Sequence, residues 1–138
     1  MKNSQARSFV VIMIVIALSA LLLRVVADKF ISVTSSQNES NAQATLRLIS
    51  TALENYAKDN RGVYPGNISA LTQSRPAYLD RDYIKQSPIK GYSYNCSRLD
   101  AGGYSCQALP TRCKLTGKIV FTVTTGSLLI SEDCDKKE

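Results

Sequence analysis

The least polar stretch of the chain comes almost first. Residues 9–27, FVVIMIVIALSALLLRVVA, hold no proline, no glycine and a single charge, Arg24. A helix of that length, rising about 1.5 Å per residue, crosses a hydrocarbon core of about 30 Å. The pattern then turns polar through SVTSSQNES, a composition poor in helix propensity that reads either as a loosened helix or as a linker. Helical spacing returns further on. Leu46, Ile49, Leu53 and Tyr56 recur at steps of three and four, widened by Leu48 and Ala52, and mark an amphipathic helix with one face to bury. Asn60-Arg61-Gly62 closes it, with Gly62 suited to the left-handed position past a helix end and Pro65 soon after.

Turn signals dominate the next 25 residues, apart from a short periodic piece at 68–71 that predicts one or two helical turns. From Gly91 the period changes to two. Tyr92, Tyr94 and Cys96 alternate with polar neighbours, Ala101-Gly102-Gly103 turns, and Tyr104, Cys106 and Ala108 alternate back. A second hairpin follows Pro110, with Ile119, Phe121 and Val123 on one strand, a tip at Thr125-Gly126, and Leu128 and Ile130 on the return. Pairing Val123 with Leu128 sets Phe121 against Ile130 and keeps all five apolar residues on one face. The pattern therefore predicts an α+β fold: a long N-terminal helix, membrane-spanning in its first half and amphipathic in its second to about residue 60, packed on a C-terminal antiparallel sheet of about four strands from about residue 91. Residues 1–8 form a basic leader, 9–27 the apolar helix and 28–138 the globular domain.

The flanks of the apolar run set its orientation. Lys2 and Arg7 precede it and no acid appears before Asp28, which favours a cytoplasmic N-terminus and an extracytoplasmic C-terminal domain on a single span. A cleaved secretory signal is the competing reading, but the run continues past normal length, and Val25 with Ala27 is the only weak cleavage candidate. Arg24 lies near the outer end, where its stem can snorkel to the headgroups. On that side of a membrane disulfides persist, and the four cysteines, Cys96, Cys106, Cys113 and Cys134, all fall in the last third. Of three connectivities, the hairpin register favours Cys96–Cys106, which sit opposite each other, and Cys113–Cys134, because the Val123/Leu128 register carries Cys134 opposite Gly117.

Charge and chemistry narrow the function. The formal charge is +6, but Lys2, Arg7 and Arg24 belong to the leader and the span, leaving 14 cations against 11 acids in the rest. Residues 75–118 stay basic and interleave tyrosines, a pattern compatible with nucleic acid but also with an ordinary solvated surface over core tyrosines. There is no histidine, hence no Ser-His or Cys-His pair, and no serine stands in a GxSxG elbow; only a Ser-Lys dyad is compositionally open. No catalytic, cofactor-binding or metal-binding residues are assigned. The cysteine spacing does not fit zinc, and the acidic tail, Glu132, Asp133 and Asp135, reads as a solvated terminus before it reads as a calcium site.

Taken together, a short basic leader, Phe9 opening an apolar helix, the passage ALENYAKDNRGVYP, a SAL…AYL wrap and the hairpins GYSYNC…GGYSCQALP…TGKIVFTV…GSLLIS resemble type IV pilins and the pseudopilins of type II secretion systems. The similarity spans nearly the whole chain and is one of layout more than of one motif. It implies a non-enzymatic filament subunit, assembled with copies of itself and related pilin-like subunits through the apolar helix, with Val11, Ile14, Leu18, Leu21 and Leu22 packing against neighbours. It also implies an inner-membrane precursor, a prepilin peptidase cutting between Ser8 and Phe9, and an assembly platform. Two positions depart from the family. Ser8 stands where glycine usually precedes the cut, and Met13 where members usually carry the glutamate thought to pair with a neighbour's N-terminal amine. The alternative is a signal-anchored, disulfide-bonded binding or adaptor domain that never polymerises.

Overall fold

In a computed structural model describing residues 2–136, helix α1 spans Lys2–Asp59. Met1 of the leader lies outside the described residues, as do the side chains of residues 2–6, Lys2 among them. The polar middle does not break the helix. Chain contacts divide the molecule into a unit up to Val33 and a unit from Thr34.

In the second unit the polar residues of α1 find partners that a linker would not offer. Asn38 Nδ2 donates to the Thr116 carbonyl at 2.9 Å, and the Lys118 N–H donates to Glu39 Oε1 at 2.7 Å. These bonds fasten the start of the unit's helix to the loop before its third strand, so weak helix propensity is overridden by tertiary hydrogen bonds. Further along, Ala42, Leu46, Ile49, Ala52, Leu53 and Ala57 are buried, the face that the spacing predicted. Leu48 is the exception: at 46% exposure it lies off the stripe, one position before the buried Ile49. The helix ends in a Schellman turn, in which the Gly62 N–H donates to the Ala57 carbonyl at 2.7 Å. The left-handed conformation begins a residue earlier than expected, since Arg61 as well as Gly62 has positive φ.

The remaining elements are α2 (Ser69–Gln73), β1 (Tyr92–Asp100), β2 (Gly103–Pro110), β3 (Ile119–Thr124) and β4 (Leu128–Asp133). The strands form one antiparallel sheet in the order β1-β2-β3-β4. Tyr92, Tyr94, Tyr104, Cys106, Ala108, Phe121 and Val123 face the α1 stripe in a single core that also takes Ile68, Leu71 and Leu79 from the wrap. The architecture is the predicted α+β layer, tied by Cys96–Cys106 and Cys113–Cys134.

The second hairpin corrects one expectation. Val123 pairs with Leu129 and Thr124 with Leu128, one residue out from the predicted register. Because side chains alternate, that slip turns Leu128 and Ile130 outward, at 60% and 43% exposure, and brings Leu129 against the core in their place. The five apolar residues therefore do not share a face. Cys134 consequently meets Lys118 rather than Gly117, its N–H donating to the Lys118 carbonyl at 2.8 Å. The disulfide still forms, since Cys113 bridges back to Gly117 next door.

Candidate assembly surface

One helix among the described residues is long and apolar enough to cross a membrane, and it holds the residues the sequence marked for assembly. Val11, Met13, Ile14, Leu18, Leu21 and Leu22 are each more than half exposed, as is Phe9. At about 100° per residue, Val11, Ile14, Leu18, Leu21 and Leu22 fall on one side of the helix. Met13 falls on the adjoining side, with Ala17, Ala20, Arg24 and Asp28. Ser8 and Phe9, the expected processing pair, are both in helix. The one hydroxyl in the run is satisfied within the helix, Ser19 Oγ donating to the Val15 carbonyl at 2.7 Å.

The globular unit is organised around a polar knot that the sequence did not announce. Glu54, beside the buried stripe of α1, accepts from Tyr104 Oη at 2.8 Å, Tyr64 Oη at 2.9 Å and the Gly126 N–H at 2.7 Å. Ser50, one turn earlier, lies 3.0 Å from Tyr104 Oη and 2.6 Å from Ser127 Oγ. Three chain segments, the loop after α1, the start of β2 and the tip between β3 and β4, are thus fixed on one helical turn. Partial burial pushes the Glu54 carboxyl up, but donation from Tyr104, Gly126, Tyr64 and Ser127 outweighs it and leaves the group below its ordinary range. Burial, and then the bond to Glu54, push the Tyr64 phenol up to about 12. The available signal was Ser50, a polar residue on an apolar stripe, one helical turn before an acid.

Other candidates resolve into local structure. Lys85 Nζ donates to Ser69 Oγ at 2.9 Å, and Ser69 Oγ donates to Asp82 Oδ2 at 3.2 Å, so the serine's proton is committed to a carboxylate that also accepts the Ile84 and Lys85 N–H groups. This is a loop clasp with the lysine as donor. Cys113, Cys134 and Asp135 gather their ligand atoms within 4.8 Å, yet the two sulfurs are bonded to each other and offer no thiolate. Asp135 pairs with Lys114. In the basic section Arg81 pairs with Asp80, Arg98 with Asp100 and Lys85 with Asp82, so these cations, with Lys114, are already engaged. No protein-family model matches the sequence, and no curated protein matches it.

Proposed function

We propose that this chain is a non-enzymatic filament subunit of the pilin or pseudopilin class, held in the inner membrane with its N-terminus in the cytoplasm before assembly. The observation that carries the reading is the contrast between an apolar helix exposed on every side and a unit that has its own buried core and two disulfides. Such a helix needs a solvent other than water. Lipid serves while the subunit is stored, and the helices of other copies serve after extraction, with van der Waals packing replacing lipid contacts. The globular domains then form the outside of the filament. The knot at Glu54 and the clasp at Ser69 support a structural role, since each polar cluster is committed to holding loops.

The alternative, a permanently anchored binding domain, has one observation in its favour: Met13 supplies no carboxylate inside the span. Two measurements decide between them. Purified residues 31–138 are expected to stay monomeric by analytical ultracentrifugation, while cells making the full chain carry filaments. Intact mass from the native host is expected to begin at Phe9. Polymerisation by the soluble fragment, or cells without filaments whose protein still begins at Met1, would overturn the reading.

A further inference from the structure

Apolar contact alone does not fix how far one helix slides along another. Arg24 near the outer end of the span and Asp28 just beyond it are four residues apart and therefore on one face. Both are exposed, and no ion pair joins them to each other or to any other described residue. The same face carries Ala17 and Ala20, the smallest side chains of residues 9–24. Small residues let two helix backbones approach closely. Immediately beyond them the face presents a cation and then an anion.

We propose that this face receives a second copy of the chain, with Ala17 and Ala20 at the close approach and Arg24 of one copy paired with Asp28 of the next. The proposal rests on the filament reading above and adds its register. Parallel copies bring Arg24 level with a neighbour's Asp28 when they are offset by four residues, about 6 Å along the axis. An offset contact is asymmetric: between two copies only one Arg24–Asp28 pair forms, which leaves Asp28 of one copy and Arg24 of the other for further copies set beside the first two, so the assembly stays open instead of closing as a dimer. The pair also supplies what apolar packing lacks, because a charge left unpaired in a low-dielectric core is costly and a slipped register leaves two. A single polar contact in an apolar helix seam specifies register in the same way.

The test is charge complementation in trans, with the full chain, scored by filament counts and membrane fractionation. Arg24→Asp and Asp28→Arg are each expected to reduce filaments at least about tenfold while the protein remains in the membrane. Co-expressing the two chains is expected to restore filaments in which they alternate, since the acid at 24 of one chain meets the base at 28 of the other, and the native base at 24 of the second chain meets the native acid at 28 of the first. Restoration by the doubly reversed single chain without restoration in trans would mean that the pair closes within one helix, and overturns the proposal. Normal filaments from either single variant overturn it too. If the Arg24→Asp chain does not accumulate, Arg24→Gln against Arg24→Lys reads the same contact: loss with Gln and retention with Lys supports it, and equal yields overturn it. A wild-type chain that forms no filaments sinks the functional reading itself, whereas wild-type filaments with silent charge variants sink only the register.

Discussion

The helix up to Val33 and the unit from Thr34 treat apolar side chains in opposite ways. In the first, Phe9 to Phe30 presents large hydrophobic residues to the surroundings on every side, and its hydroxyl at Ser19 is satisfied without leaving the helix. In the second, the same residue types sit on one stripe of α1 and one face of a sheet, and the polar groups among them are cross-linked in a knot at Glu54. On the filament reading proposed above, one segment exchanges partners and the other keeps those it has. A lesion should therefore act on assembly in the first and on folding in the second.

The largest effect is expected from a charge at the centre of the apolar run. Leu18→Asp places an unpaired carboxylate in lipid or in a bundle of copies, at a cost on the order of several kcal/mol, and should abolish filaments while leaving residues 31–138 folded. Normal filaments from that variant would remove the helix as the assembly element. Met13→Glu, on the side where other charges already lie, should leave assembly unchanged or improve it.

Next come the disulfides, which act on the other region. They close loops of 10 and 21 residues, and removing either by Cys→Ser should cost the soluble fragment about 2–4 kcal/mol in urea unfolding. The Cys113–Cys134 bridge should matter slightly more, because its loop is longer. An equal midpoint before and after reduction would show that the sheet and α1 alone define the unit.

How much of this was legible in the sequence differs between the regions for a physical reason. Period and length are local, so the apolar span, the stripe through Leu46, Ile49 and Leu53, the two hairpins and the short α2 could all be read from residue spacing. Disulfide partners followed from strand order. The slipped register of β4 could not be read from the turn, because the tip is set by contacts from far along the chain. The Gly126 N–H is held by Glu54 and the Ser127 N–H by Tyr104 Oη, which pins a three-residue loop and turns Leu129 inward in place of Leu128. The continuity of α1 was hidden for the same reason, since Asn38 and Glu39 are stabilised by partners about 78 residues away. Composition alone marks the serines, Thr34 and the asparagines of this stretch as poor helix formers.

A smaller effect is expected at Gly117, which the sequence offered only as the position opposite Cys134. A Cβ there would fall within 2.7 Å of ring carbons of Tyr92, a fully buried side chain whose Oη donates to the Ile119 carbonyl at 2.8 Å. The ring has no room to retreat without losing that bond, so Gly117→Ala should destabilise the fragment by about 1–3 kcal/mol. The same change at Gly66, where a Cβ meets open space, is the control and should be close to silent. If the two variants unfold alike, the packing of Tyr92 is looser than its contacts indicate.

The smallest and most diagnostic effect is the pH dependence of the globular unit. Glu54 has a folded-state carboxyl below the ordinary 4.5, so the unfolded chain binds its proton more tightly than the folded one. Its contribution is therefore complete above pH 4.5 and is lost as pH falls through the lowered folded value. Tyr64 and Tyr92 behave oppositely: burial first, then Glu54 for Tyr64 and Glu39 for Tyr92, raise both phenols from 10 to about 12. Their contribution is complete below pH 10 and is lost between 10 and 12. Urea midpoints of residues 31–138 should thus show a plateau with a decline at each end. Glu54→Gln keeps the shape but removes the charge from three acceptor bonds, and should cost about 1–2 kcal/mol at pH 7. It should also flatten the acid decline, so that the gap between wild type and variant narrows below pH 4.5. A gap that is the same at pH 3 as at pH 7 would mean that Glu54 holds the hairpin tip by shape and not as a carboxylate, and the knot would then be no more than close packing around a polar side chain.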